Sequence, residues 1–412
     1  MFPPEGTRVQ TGDHPFPTEG ATKALLQEMS RFSTLASMER SSFWRDHSAE
    51  VELLCHQVQR GGPGAKAPVQ DDARHLRIVH WNIERGKKLP VIQHNFQQQR
   101  DLQGADLILL NEVDVGMARS GNRHTARELA NNLGMHWIFS PAYIELTKGM
   151  REEIQAPGEN KDSLHGLAVL SKEEPILVER IELPEIFDTF DFVEKRYGSR
   201  IGLLVHFGRA WQDLVVAIVH LEVRDTPAGR RRQMQALLKA IDQSLKKNGR
   251  EKSPVLLAGD LNTHTFPRGS FKHKANAVRR ILGTPLDRLA EEMTEPWRDN
   301  REPLFSAMTD AGYHYEDLND RSPTITVLLR GVEEAEMLPA LFRRWIGRAA
   351  ALGERVFPMR LDWFAARGFG LNGDKHQPFR VTRAATVVPS AWRGDIPSDH
   401  FPLLLELEIS GT

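Results

Sequence analysis

The stretch Val255-Leu-Leu-Ala-Gly-Asp260-Leu-Asn262-Thr-His-Thr-Phe266 decides how the rest of the chain is read. Val255 to Ala258 is an uninterrupted apolar run of the length of a buried strand. Gly259 is expected to turn the backbone sharply. Asp260 and Asn262 follow two residues apart, a spacing that sends both side chains to one side of an extended segment. A carboxylate that can take a proton then stands beside a carboxamide that can donate and accept hydrogen bonds. A strand followed by an ordinary Asx turn would give the same letters. Recurrence separates the two readings, because apolar strands ending in polar groups repeat along the chain.

Working outward, Ala228–Leu245 has helical spacing, with Met234, Leu237, Leu238 and Ile241 on one face, and reaches the central strand through Asn248-Gly249. Before it, Ile201–Phe207 and Leu214–His220 read as an antiparallel pair joined through Gly208-Arg209-Ala210, the second strand ending in His220 and leading to Glu222. Further upstream, Leu76–Asn82 ends in Asn82 and Asp106–Glu112 ends in Glu112. Val91, Phe96 and Leu102 are candidate core contacts in and beside the Gln-rich segment Gln93–Gln103. Thr125–Leu133 is a helix with Ala126, Leu129, Ala130 and Leu133 inward, stopped by Gly134. Trp137–Phe139 and His165–Ser171 are further strands. Downstream, Asp362 lies within the apolar run Leu361–Phe364, and Ser398-Asp399-His400 precedes a last strand, Leu403–Ile409. A buried Asp needs a partner and His supplies an N–H donor, so Asp362 and His400 are expected to pair.

The chain has 412 residues, 40% hydrophobic and 26% charged, the composition of a soluble globular protein. Its net charge of −1 advertises no global basic field for nucleic acid. A single cysteine, Cys55, excludes an internal disulfide and fits a reducing compartment. No secretory signal or membrane-spanning run is legible, so the expectation is a soluble cytoplasmic protein. Residues 1–20 are expected to be extended. Helical spacing then runs through Leu25, Met29, Phe32 and Leu35, and again through Ser48–Arg60 with Val51, Leu54 and Val58. Gly61-Gly62-Pro63-Gly64 ends that helix, and a polar linker leads to Arg74. The expected division is an extension over residues 1–73 and a catalytic domain over 74–412. Residues 263–360 hold a basic portion (Arg268, Lys272, Lys274, Arg279, Arg280) and a helix expected over Glu333–Leu352. Alternating helices and apolar strands indicate an α/β architecture. No His-Glu-x-x-His, paired-Cys or phosphate-loop motif is present.

The series Trp81-Asn82, Asn111-Glu112, His220-Leu-Glu, Gly259-Asp-Leu-Asn262, Leu361-Asp362 and Ser398-Asp399-His400 resembles the endonuclease/exonuclease/phosphatase superfamily, with deoxyribonuclease I-like and neutral sphingomyelinase-like branches. All six signatures stand in the family's order over Leu76–Ile409. The resemblance implies a four-layer α/β sandwich of two mainly antiparallel sheets, face to face, with helices outside. It implies a Mg²⁺-dependent hydrolase of phosphoester bonds, with Mn²⁺ as a substitute. Glu112, Asn82 and Asp399 would serve the metal. Asp260, Asn262, His220, His400 and Asp362 would carry the chemistry, with either Asp260 or His400 as the base. His220 matches a phosphate-contacting histidine of the deoxyribonuclease and sphingomyelinase branches, and Arg119 is similar to one in bacterial members. The expected activity is that of a phosphodiesterase or nuclease, with nucleic acid as a candidate partner. A lipid or small-molecule phosphoesterase is the first alternative. A catalytically dead binding module is disfavoured, because every expected polar position is filled.

Overall fold

The structure, a computed structural model, describes residues 19–63, 75–266, 276, 279–280, 283–328, 356–370 and 377–410. Residues 1–18, the linker over 64–74, the basic residues Arg268, Lys272 and Lys274 and the helix expected over Glu333–Leu352 lie outside the described residues.

In chain order the helices are α1 (Glu19–Arg31), α2 (Leu35–Glu39), α3 (Ser42–His56), α4 (Leu89–Gln98), α5 (Thr125–Leu133), α6 (Pro227–Lys247), α7 (Leu286–Thr294) and α8 (Leu304–Asp310). The first strands are β1 (Gln59–Gly61), β2 (His75–Arg85), β3 (Leu107–Val115), β4 (His136–Glu145), β5 (Leu164–Ser171), β6 (Leu177–Glu182), β7 (Arg196–Gly198) and β8 (Ile201–His206). They are followed by β9 (Val215–His220), β10 (Val255–Asp260), β11 (Ile325–Leu328), β12 (Val356–Met359), β13 (Asp362–Arg367), β14 (Phe379–Thr386) and β15 (Leu403–Ile409). A larger sheet has the order β1-β4-β5-β3-β2-β15-β14, with β7 also on β4, and a smaller one the order β13-β10-β9-β8-β6.

These sheets pack face to face, and side-chain alternation divides every central strand between two layers. Ile78, Leu109, Ile218, Ala258, Phe364 and Leu405 meet between the sheets. Their sequence neighbours Val79, Trp81, Ile108 and Leu110 point outward beneath α3, α4 and α5. Val215, Leu257 and Trp363 point outward on the other side, against Leu237 and Ile241 of α6 and Phe305 and Met308 of α8. The result is the expected four-layer α/β sandwich. Pairing is mainly antiparallel, but each sheet holds one parallel pair, β2–β3 and β9–β10. Parallel neighbours need a crossover, and α4 and α6 supply them. For α6, Thr226 accepts from the Gly229 N–H (3.2 Å), Pro227 opens the first turn, and Lys246 and Lys247 close it at the negative end of the dipole.

Two local expectations need correction. Gly259 does not turn the chain: β10 runs on through Asp260. A Cβ at Gly259 would lie 2.0 Å from the Val219 carbonyl oxygen, so the glycine permits close approach of β9. Gln59–Gly61 leave the helix and form β1 on the edge of β4, because that edge offers unpaired backbone groups. The Gln-rich segment is helical from Leu89, with Val91, Ile92, Asn95 and Phe96 buried. Met29, Met38, Val51, Leu54 and Cys55 belong to the same core as the outer face of the larger sheet. The division near residue 73 is therefore one of sequence signature, while the described part of the extension is continuous with the sandwich in packing.

Candidate active site

The inward-facing rows of both sheets are apolar until the strands reach one end of the sandwich. There Leu76 and Ile78 give way to His80 and Asn82, and Leu107 and Leu109 to Asn111. Val216 and Ile218 give way to His220, and Leu256 and Ala258 to Asp260. Asp362 enters at the same level, because antiparallel pairing puts it opposite Asp260, and parallel pairing puts His220 on the other side of Asp260. Two parallel pairs thus deliver polar strand ends side by side. Register alone makes the cluster.

Backbone strain is concentrated at these ends. Glu84 (φ 47°), Arg85 (φ 66°), Glu112 (φ 54°) and Asn262 (φ 50°) all lie in the left-handed region. The β2–β3 ladder slips between Asn82 and Arg85, and the β3–β5 ladder between Leu110 and Val113. Such irregularities re-aim side chains at sheet ends.

Asp260 is the centre. Asn82 Nδ2 donates to its Oδ2 at 3.1 Å, and the Asn262 N–H donates to Oδ1 at 2.9 Å. Asn111 Oδ1 accepts from the Asp260 N–H at 2.7 Å and thereby ties the two sheets together. His220 Nε2 lies 3.4 Å and His400 Nε2 3.8 Å from Asp260 Oδ2. Burial, followed by the negative charge of Asp362, pushes the Asp260 carboxyl up to about 7. Asp362 Oδ2 lies 2.7 Å from His400 Nδ1, and its Oδ1 lies 3.1 Å from His80 Nε2. Burial opposes the Asp362 charge, but the two rings, His400 foremost, hold its carboxyl well below the usual range. Burial likewise opposes a charged His400, yet Asp362, Asp399 and Asp260 raise its proton affinity well above the ordinary histidine value. His220 goes the other way, driven down by burial and by Arg200. Asn262 Nδ2 donates to the Leu221 carbonyl (2.8 Å) and keeps a second N–H.

Glu112 faces a more open side, its side chain 24% exposed. Burial pushes its carboxyl up, but Arg85, His165 and His400 outweigh that and hold it below the usual range. Arg85 Nε lies 3.9 Å from Glu112 Oε2, and its guanidinium is fixed by Glu153 and Glu194. Arg119, fully buried, anchors the same region through Asp114 (2.8 Å), Glu194 (2.8 Å) and Glu145 (3.2 Å). Asp399 is exposed, and its charge raises the neighbouring Glu84 carboxyl, which burial has already lifted.

An anionic Glu112 beside the Asn82 carboxamide, whose Oδ1 accepts only from the Glu84 N–H (3.1 Å) among the described residues, offers hard oxygen donors suited to Mg²⁺. Ligand atoms of Asp260, Asp362 and His400 also lie within 4.8 Å of one another. Both Asp362 oxygens there already accept from imidazoles, which makes that trio a proton-handling unit before a cation cage. All eight residues singled out in the sequence converge at this end of the sandwich. Asn111 stood in one of the six signatures without a role, and His80, Arg85 and His165 were not among them. The inward alternation with Asn82 could have found His80, whereas Arg85 and His165 left no local signal.

A family model for the Endonuclease/Exonuclease/phosphatase family matches residues 79–400. No curated protein matches the sequence significantly. Among solved structures, the human Nocturnin catalytic domain with bound sulfate is similar at 12% identity and a TM-score of 0.44, over 86% of this chain and 98% of that one. An AP endonuclease from Archaeoglobus fulgidus is 15% identical with a TM-score of 0.43, over 80% of this chain and 98% of that one. The 3′ phosphatase NExo from Neisseria, bound to a product DNA hairpin, is 16% identical with a TM-score of 0.43 over the same shares. With the family match spanning both parallel pairs and every polar strand end described above, the chain belongs to the Endonuclease/Exonuclease/phosphatase family of phosphoester hydrolases.

Proposed function

We propose that the protein hydrolyses phosphodiester bonds with the help of Mg²⁺, for which Mn²⁺ substitutes, by attack of a water that Asp260 deprotonates. The observation that carries this reading is the Asp260 carboxyl, pushed up to about 7 at the meeting point of both sheets. A base poised near neutrality is suited to taking a proton from water in the transition state. Glu112 and Asn82 would hold the cation, joined by Asp399 directly or through water. When bound there, a divalent cation neutralises phosphate charge and polarises its oxygens.

His400, kept protonated by Asp362, donates from Nε2 to a phosphate oxygen. Its raised proton affinity favours this role over that of the base. Neutral His220 contacts a second oxygen, and the remaining Asn262 N–H meets the charge that develops in the transition state. A panel of plasmid DNA, abasic duplex, RNA, sphingomyelin and bis-p-nitrophenyl phosphate, with Mg²⁺ or Mn²⁺, tests the proposal. The expected result is diester turnover that chelation abolishes. Turnover of no diester, or turnover indifferent to chelation, overturns it.

A further inference from the structure

His80 is a buried titratable side chain of the inner row to which the chemistry above gives no work. It is fully buried on β2, with its ring edge-on to Phe364 (centroids 6.3 Å apart). Its Nε2 reaches across from the larger sheet to Asp362 Oδ1 on the smaller one, at 3.1 Å. Its Nδ1 is buried with no hydrogen-bond partner among the described residues. A lone buried Nδ1 leaves the proton on Nε2, so His80 is a single fixed donor aimed at Asp362.

We propose that His80 is a positioning residue for the reaction: it occupies Asp362 Oδ1 so that Oδ2 stays on His400 Nδ1. Each carboxylate oxygen then has one ring, and the carboxylate plane is pinned between two sheets. Without His80, Oδ1 is a buried acceptor with an unmet demand. A carboxylate held by one ring alone can turn about its Cβ–Cγ bond and draw Oδ2 off His400 Nδ1. His80 prevents that rotation without touching substrate.

The rate part of the test rests on the proposed diester hydrolysis, and the spectroscopic part does not. In the full-length, metal-free protein, the low-field His400 Nδ1–H proton resonance is assigned by its loss in His400→Ala. His80→Leu is expected to shift that resonance upfield or broaden it by exchange, and His80→Gln, which keeps a donor of similar reach, to restore it. On bis-p-nitrophenyl phosphate with Mg²⁺, His80→Leu should lower kcat about tenfold to a hundredfold, the scale of a hydrogen bond to a charged group, with KM unchanged. The loss should vanish on a His400→Ala background. If the leucine variant does not fold, His80→Asn, whose amide stops short of Oδ1, replaces it. An unmoved His400 resonance in a folded variant overturns the proposal, as does an equal loss with and without His400. If no diester is turned over, the function fails and the resonance alone decides the positioning.

Discussion

The two halves of the site are made by the same device, a parallel strand pair ending in polar residues, yet they differ in access. In the closed half, Asp260 and Asp362 of the smaller sheet are 2% and 0% exposed and His400, just before β15 of the larger sheet, is 6% exposed, and each is hydrogen-bonded or paired within the protein. In the open half, at the larger sheet, the Glu112 side chain is 24% exposed and Asp399 is exposed. Burial magnifies electrostatic coupling, and so the first half holds protons where it wants them. A cation must shed water and leave room for substrate, which suits the second half. Under the proposed function, proton handling lies in the closed half, while metal handling joins the open carboxylates Glu112 and Asp399 to the buried Asn82 carboxamide.

The largest effect should come from the closed half. Asp260→Asn keeps the shape and removes the proposed base, and should lower kcat by roughly 10²–10⁴-fold. Glu112→Gln strikes the open half. It should weaken Mg²⁺ binding by about tenfold or more, measured by calorimetric titration, and excess Mg²⁺ should recover part of the activity. Equal Mg²⁺ affinity in parent and variant would erase the distinction between the halves.

Next comes the coupling inside the closed half. Asp260 should titrate near pH 7 in the metal-free protein, followed by carboxyl-carbon NMR. The Asp362 anion raises that value, so Asp362→Asn should lower it and move the acid limb of activity to lower pH. An unchanged titration would show that burial alone sets it. Asp362→Asn and His400→Ala should combine with far less than the product of their single losses, as members of one unit do.

The smallest catalytic effect belongs to the N-terminal segment, which we propose takes no part in the chemistry. Leu54→Ala, in the core shared with the larger sheet, should cost about 2–5 kcal/mol of stability by denaturant titration while leaving kcat unchanged. A lower kcat at full folding would place that segment closer to the site than its packing implies.

Local physics was enough for much of the molecule. The helix Thr125–Leu133 is read to the residue, because its inward face is periodic and Gly134 adopts the left-handed cap (φ 68°). The last strand, Leu403–Ile409, is likewise legible from its letters alone. So was the recurrence of polar groups at strand ends, which carried the family resemblance and the four-layer sandwich. What the letters could not decide is which face each strand residue takes. Strands such as Val215–His220 are buried on both sides, so their apolar runs show no alternation to read. Only stacking of the sheets shows that the face shared by Ile78, His80 and Asn82 is the inner one, that Asn82 and Asn111 reach Asp260 across the gap, and that Asp362 lies between two imidazoles. Those contacts join residues more than a hundred positions apart in most cases. Their geometry is set by register and packing, which no short window of sequence contains.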